Sequence, residues 1–275
     1  MRYHASDGSI SQAVMTDLQH RYILGTRVDA TSYADATARI LHWAEAGESR
    51  YVCICTVHMV MEAYDSGAFQ EIVNGADLVT PDGMPLVWTL RVTGIRHTPR
   101  VDGPSLTPYI CEAAAKAGIP IGVYGGTERS QADFKKAMQA RYPGLKIVCM
   151  ISPPFRQLTP EEDARYERQI TESGARLILV AFGCPKQERW MNARHGRIPA
   201  VMVGIGAALD FQSGLLRRAP VWMQRMGLEW FFRLLMEPRR LLPRYARHNP
   251  RFIVLLLAQL LHLRRFDSRR HEEGR

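Results

Sequence analysis

Residues 175–211 read ARLILVAFGCPKQERWMNARHGRIPAVMVGIGAALDF. Two short aliphatic runs, Arg176–Ala181 and Ala200–Gly204, flank a polar amphipathic stretch that follows Pro185. Strand, helix, strand in that order is the unit of a parallel sheet. The same alternation extends outward on the N-terminal side. Further strands are predicted near Tyr22–Val28, Tyr51–Thr56, Leu78–Pro81, Ile119–Tyr124 and Lys146–Ile151, with helices between them. The helix after Thr31 and Ser32 begins with capping residues, carries Ala38, Ile40, Leu41 and Trp43, and ends before Gly47. The reading is a Rossmann-like α/β fold over residues 20–218, a mainly parallel sheet with helices on both faces. It is preceded by a tail, residues 1–19, and followed by an appendage, residues 219–275.

The appendage differs in charge from everything before it. Residues 1–216 hold 22 basic and 22 acidic residues, whereas residues 217–275 hold 14 arginines against five acids and carry the whole net charge of +9. Such asymmetry points to an anionic partner. The arginines alternate with Trp222, Leu228, Trp230, Phe231, Leu234 and Leu255, a pattern suited to an anionic membrane surface and not to nucleic acid. Pro238, Pro243 and Pro250 predict several short helices. The uncharged run Phe252–Leu263, flanked by Arg251 and Arg264-Arg265, has twelve residues. As a helix it covers about 18 Å of a hydrocarbon core about 30 Å thick, too little to span. The first twenty residues lack a secretory apolar segment, and five cysteines without C-x-x-C spacing fit reduced thiols. The expected location is cytoplasmic, peripheral on the inner face of the cell membrane.

Ligands of open parallel sheets bind at the carboxyl ends of strands. Polar clusters fall there at Thr56-Val57-His58, Thr80-Pro81-Asp82-Gly83, Arg100-Val101-Asp102-Gly103, Gly183–Glu188 and Gly204–Phe211. A nicotinamide-type oxidoreductase would need G-x-G-x-x-G after the first strand, where Gly25-Thr26-Arg27-Val28 stands instead. The pieces TPDGMPLVW, R-V-x-G-x-x-L, YGGTE, AFGCPKQERW, VGIGAALDFQSG and RAPVWMQRMGLEWFFRLLMEPRRL occur in that order. Together they resemble the WecG/TagA/CpsF glycosyltransferases over about residues 20–250. The resemblance implies transfer of a hexosyl or N-acetylhexosaminyl-type unit from a UDP-sugar to a polyprenyl-pyrophosphate-linked saccharide, in cell-surface polysaccharide synthesis. No cofactor is implied, and homo-oligomers are compatible with it.

An inverting transferase needs a carboxylate to take the acceptor proton. Asp82, after a strand and before Gly83, is the best-placed acid; by position alone it reads equally as a cap of the helix Met84–Arg91, and the resemblance implies the base. There is no D-x-D pair and no His/Cys cluster at ligand spacing, so a metal-independent site is expected. Arginine is then the expected substitute at the leaving diphosphate, and Arg100 lies in the domain. The resemblance implies that Arg233, Arg240 and Arg244 of the appendage close over the donor, although each arginine reads equally as a solvated or lipid-facing charge. The resemblance also suggests substrate contacts for Thr56 and Gln187, each of which reads equally as a strand-end hydrogen bonder. Lys186 and Glu188 are expected to pair with each other or to cap the helix after Pro185. Gly204-x-Gly206 suggests close backbone approach near the nucleotide, and Asp210 a bond within that loop or to substrate. Three departures from the family pattern stand out. His58 replaces the asparagine of T-x-N, the carboxylate of R-V-x-G-x-D moves to Asp102 and leaves Ser105 in its place, and Pro243 replaces an arginine beside Arg244.

Overall fold

The computed structural model describes residues 17–263, apart from the side chain of Arg225. Most of the 1–19 tail and the pair Arg264-Arg265 therefore lie outside the described residues. In order, the elements are β1 (His20–Ile23), β2 (Thr26–Asp29), α1 (Tyr33–Ala46), β3 (Arg50–Cys55), α2 (Val57–Asp65), α3 (Gly67–Asn74), β4 (Leu78–Pro81), α4 (Met84–Val92) and α5 (Gly103–Ala117). They continue with β5 (Ile121–Gly125), α6 (Glu128–Arg141), β6 (Ile147–Ile151), α7 (Pro160–Glu172), β7 (Leu177–Ala181), α8 (Lys186–Asn192), β8 (Val201–Gly204), α9 (Ala208–Gln212), α10 (Val221–Arg225), α11 (Glu229–Met236) and α12 (Pro238–Leu260).

Six strands form one parallel sheet in the order β4-β3-β8-β7-β5-β6. Both faces are covered, so the central strands are apolar on both sides. Successive side chains divide between two cores. Tyr51, Cys53 and Cys55 of β3 join Ile178 and Val180 of β7 in one core, roofed by α2, α3, α4 and α8. Val52 and Ile54 join Leu177, Leu179, Val201 and Val203 in the other, roofed by α1, α5, α6 and α9. Ser32 caps α1 by accepting from the Asp35 amide, and Gly47 closes it in the left-handed region at φ 68°. All five cysteines are free.

Two expectations need correction. The run Tyr22–Val28 is not one strand of the main sheet but an antiparallel hairpin, with Ile23 opposite Thr26 and Leu24-Gly25 at its turn. Both turn residues have positive φ, 51° and 84°, as a two-residue hairpin loop requires. The three prolines do not divide the tail as expected. Pro220 precedes α10 and Pro238 opens α12, but α12 runs unbroken for 23 residues through Pro243 and Pro250. Packing compensates the lost backbone donors: Leu241, His248 and Phe252 are buried, and Phe252 enters the first core. Gln259 locks the far end of α12 to the hairpin, accepting from Leu24 N at 2.9 Å and donating to Tyr22 O at 2.7 Å.

Candidate active site

The carboxyl ends of β3 and β4, neighbours in the sheet, place Thr56 and Asp82 on one wall of a cavity of about 620 Å³. Helices α11 and α12 supply the facing wall, including Arg233, Arg244, Tyr245 and His248. Thr56 caps α2, accepting from the Met59 amide at 3.2 Å, and so fixes the start of the helix that carries His58.

Asp82 is not the cap of α4. Gly83 holds that position at φ 120° without a side-chain bond, which leaves the carboxylate turned to Arg100. Arg100 donates through Nε and Nη2 to Asp82 Oδ1 at 3.2 and 3.0 Å, and through Nη1 to Glu229 Oε2 at 2.7 Å. Glu229 opens α11, so this pair joins the appendage to the sheet beneath the cavity. Burial, and the carboxylates of Asp102 and Glu229, push the Asp82 carboxyl up to about 6 against the opposing pull of Arg100. Among the described residues no hydrogen-bond donor reaches Asp82 Oδ2. The acid is thus held by one oxygen with raised proton affinity, the state suited to a general base near neutral pH. The charge of Arg100 is committed to three carboxylates, those of Asp82, Glu229 and, at 4.0 Å, Asp102, whereas among the described residues Arg233 and Arg244 form no ion pair. The guanidinium of Arg233 lies over the Phe211 ring at 5.5 Å.

The model of the glycosyl transferase WecG/TagA/CpsF family matches residues 21–266. The chain belongs to this family. It is a glycosyltransferase. Among its curated relatives is the N-acetylglucosaminyldiphosphoundecaprenol N-acetyl-beta-D-mannosaminyltransferase of Bacillus subtilis (strain 168), 27% identical over 222 residues that cover 78% of this chain and 84% of the relative.

Within the transferase, the sequence-chosen residues fall into two groups. Thr56, His58, Asp82, Arg100, Arg233 and Arg244 line the one cavity. Gln187, Gly204, Gly206, Asp210 and Arg240 do not. Gln187 is buried in the first turn of α8, accepting from Gly183 N and donating to Glu188 Oε1 at 2.7 Å and Gly204 O at 3.2 Å. A Cβ at Gly204 would stand 2.8 Å from Gln187 Nε2, so the close approach there is made by that side chain. Gly206, at φ 51°, turns the chain after β8. Arg240 pairs with Glu237 at 2.6 Å, and its charge opposes the upward shift that burial gives Asp210. Glu188 makes no bond to Lys186; it is fully buried, and burial pushes it up to about 7. Asp102 caps α5 and receives Tyr33 and Arg218, and Arg218 also donates to Ser105.

Sequence reasoning missed Glu229, Tyr245, His248 and Glu62. Glu229 stands inside a quoted motif, yet its contact with Arg100 crosses 129 positions. The fold also assembles a cluster that linear spacing did not show. His58 and Glu62, one turn apart on α2, meet His248 of α12, and their ligand atoms lie within 4.8 Å of one another.

Proposed function

We propose that this protein is an inverting transferase that moves a hexosyl or N-acetylhexosaminyl-type unit from a UDP-sugar to a polyprenyl-pyrophosphate-linked saccharide. The observation that carries the reading is the cavity itself, which has a proton-accepting carboxylate at its base, unpaired arginines on one wall and an apolar mouth. Trp88, Val92, Trp230, Ile253 and Leu257 line the mouth and are all 44–69% exposed. That apolar surface continues along α11 and α12 through Leu235, Val254 and Leu261. A polyprenyl chain, or the acyl layer that holds it, is the chemistry such a rim accepts. The named acceptor of the Bacillus relative, a diphosphoundecaprenol-linked sugar, agrees with this.

Asp82 Oδ2 takes the proton of the acceptor hydroxyl as that oxygen attacks the anomeric carbon and the bond to the nucleoside diphosphate breaks. Arg233 and Arg244 face the leaving diphosphate, where charge-assisted bonds are strong. Arg100 holds Asp82 in place and limits the rise in its proton affinity. Gly204, Gly206 and Gln187 shape the neighbouring strand ends on the nucleotide side, with Asp210 on α9 and Arg240 on α12. Residues 20–218 form the catalytic domain, and residues 219–275 complete the site and bring it to the inner leaflet. Among the described residues no helix is long and apolar enough to cross a membrane. Transfer proceeds without an added divalent ion.

A panel of UDP-sugars offered with polyprenyl-pyrophosphate saccharides, in the presence and absence of EDTA, tests the reading. One donor should support chelator-resistant transfer with inverted anomeric configuration. Transfer that vanishes in EDTA and returns only with magnesium or manganese overturns the arginine assignment, and absence of transfer from every UDP-sugar overturns the donor.

A further inference from the structure

His58 Nε2 stands 3.5 Å from Glu62 Oε1, and His248 Nε2 stands 3.7 Å from the same oxygen. These distances are too long for good hydrogen bonds. Among the described residues neither imidazole makes a hydrogen bond, and His248, only 5% exposed, leaves Nδ1 buried without a partner. Three groups that ligate metals thus converge without satisfying one another. Metal–ligand bonds of about 2.0–2.2 Å in a tetrahedron place neighbouring donor atoms about 3.3–3.5 Å apart. Two edges of the triangle are close to that, and the third is no longer than 4.8 Å.

We infer that His58, Glu62 and His248 form a binding site for a transition-metal dication of the zinc type, fastening α12 to α2 across the cavity wall. Two imidazoles and one carboxylate are a zinc-type donor set, whereas magnesium prefers an all-oxygen octahedron. The i, i+4 spacing of His58 and Glu62 sets both on one face of α2. The two helices are already held in register by Arg251, which donates to both carboxylate oxygens of Asp65 at 2.9 and 2.7 Å. Both histidines line the cavity, while Glu62 lies outside its lining. The ion is a clamp between helices and takes no part in the departure of the diphosphate, so its presence is compatible with chelator-resistant transfer.

The full-length protein, stripped with EDTA and dialysed, is titrated separately with Zn²⁺, Co²⁺ and Mg²⁺. The expected result is one equivalent of bound Zn²⁺, the strong visible absorption of tetrahedral Co²⁺, no Mg²⁺ binding, and a rise in Tm of about 3 °C or more with excess zinc. Glu62→Gln and His248→Gln should each weaken Zn²⁺ binding by roughly tenfold or more and abolish the rise in Tm. Glu62 lies at the surface end of the cluster, so Glu62→Gln keeps the test decisive even where His248→Gln unfolds the chain. No zinc binding by the wild type, or equal binding by Glu62→Gln, overturns the site. None of these readouts depends on transfer, so they are separable from the fate of the proposed reaction.

Discussion

Asp82 titrates in a field made by three neighbours, and one of them can be removed without touching the acid. Glu229 raises the proton affinity of Asp82 and also shares Arg100 with it. Glu229→Gln removes a repelling charge and leaves Arg100 freer to favour the Asp82 carboxylate. Both effects act in one direction, so the acid limb of kcat/KM should move below its wild-type position near pH 6. A pH–rate profile checks this, and an unmoved limb would detach Glu229 from the base. Glu188 makes a second residue-scale test, on stability. Its folded proton affinity is raised by burial from 4.5 to about 7. Both states are therefore protonated below about pH 4.5, and stability is lost as pH rises towards and through 7, where the unfolded chain ionises first. Glu188→Gln keeps the bond with Gln187 within reach and removes the titration. Thermal melts at pH 5 and pH 8 should show a smaller fall for the variant, which at pH 8 should match or exceed the wild type.

Among the elements, α12 does most to join the two parts of the chain. Its inner edge puts Phe252 at 2% exposure in the first core, while Ile253, the next residue, is 57% exposed. Phe252→Ala should cost about 3–5 kcal/mol in denaturant unfolding, and Ile253→Ala a small fraction of that. Equal effects would mean that the helix is not docked as described. The strands β3 to β8 were legible because each is a short apolar run, some of them closed by glycine or proline within the strand, as in VMVG and LVTP. The hairpin was not, because Tyr22–Val28 reads as one strand-like run of aromatic and β-branched residues around Gly25, and the positive φ of Leu24 and Gly25 divides it. Nor was the continuity of α12, since burial of Leu241 and Phe252 outweighs a local penalty that the prolines advertise. Asp82, Arg233 and Arg244 were legible as strand-end or appendage charges. Glu229, the partner of Arg100, and the His58–Glu62–His248 cluster were not, because each depends on α11 or α12 folding back over β3 and β4.

At the scale of the whole molecule, the sheet supplies the acid and the C-terminal helices supply cations, a lid and an apolar rim. Their exposed face should bind the anionic leaflet. Each arginine near such a surface contributes about 1 kcal/mol, screened over about 8–10 Å of Debye length. Sedimentation with anionic liposomes should therefore weaken markedly as salt is raised, while neutral liposomes retain only the part due to burial of Trp222, Leu257 and their neighbours. Salt-insensitive binding would remove the electrostatic half of that picture. The arginines of the cavity wall divide from those of the surface: Arg233→Gln should cut transfer severalfold or more and spare sedimentation, because its side chain faces the cavity and Phe211. The central claim is that Asp82 deprotonates the acceptor in this cavity, and turnover of Asp82→Asn beside the wild type, over pH 5–8 and with UDP affinity measured in parallel, tests it most directly. The wild-type rate should fall as pH drops through about 6. The variant should bind UDP as the wild type does and turn over at least about a hundredfold more slowly, with that acid limb gone. Near-normal turnover of Asp82→Asn with an unchanged pH profile would contradict it.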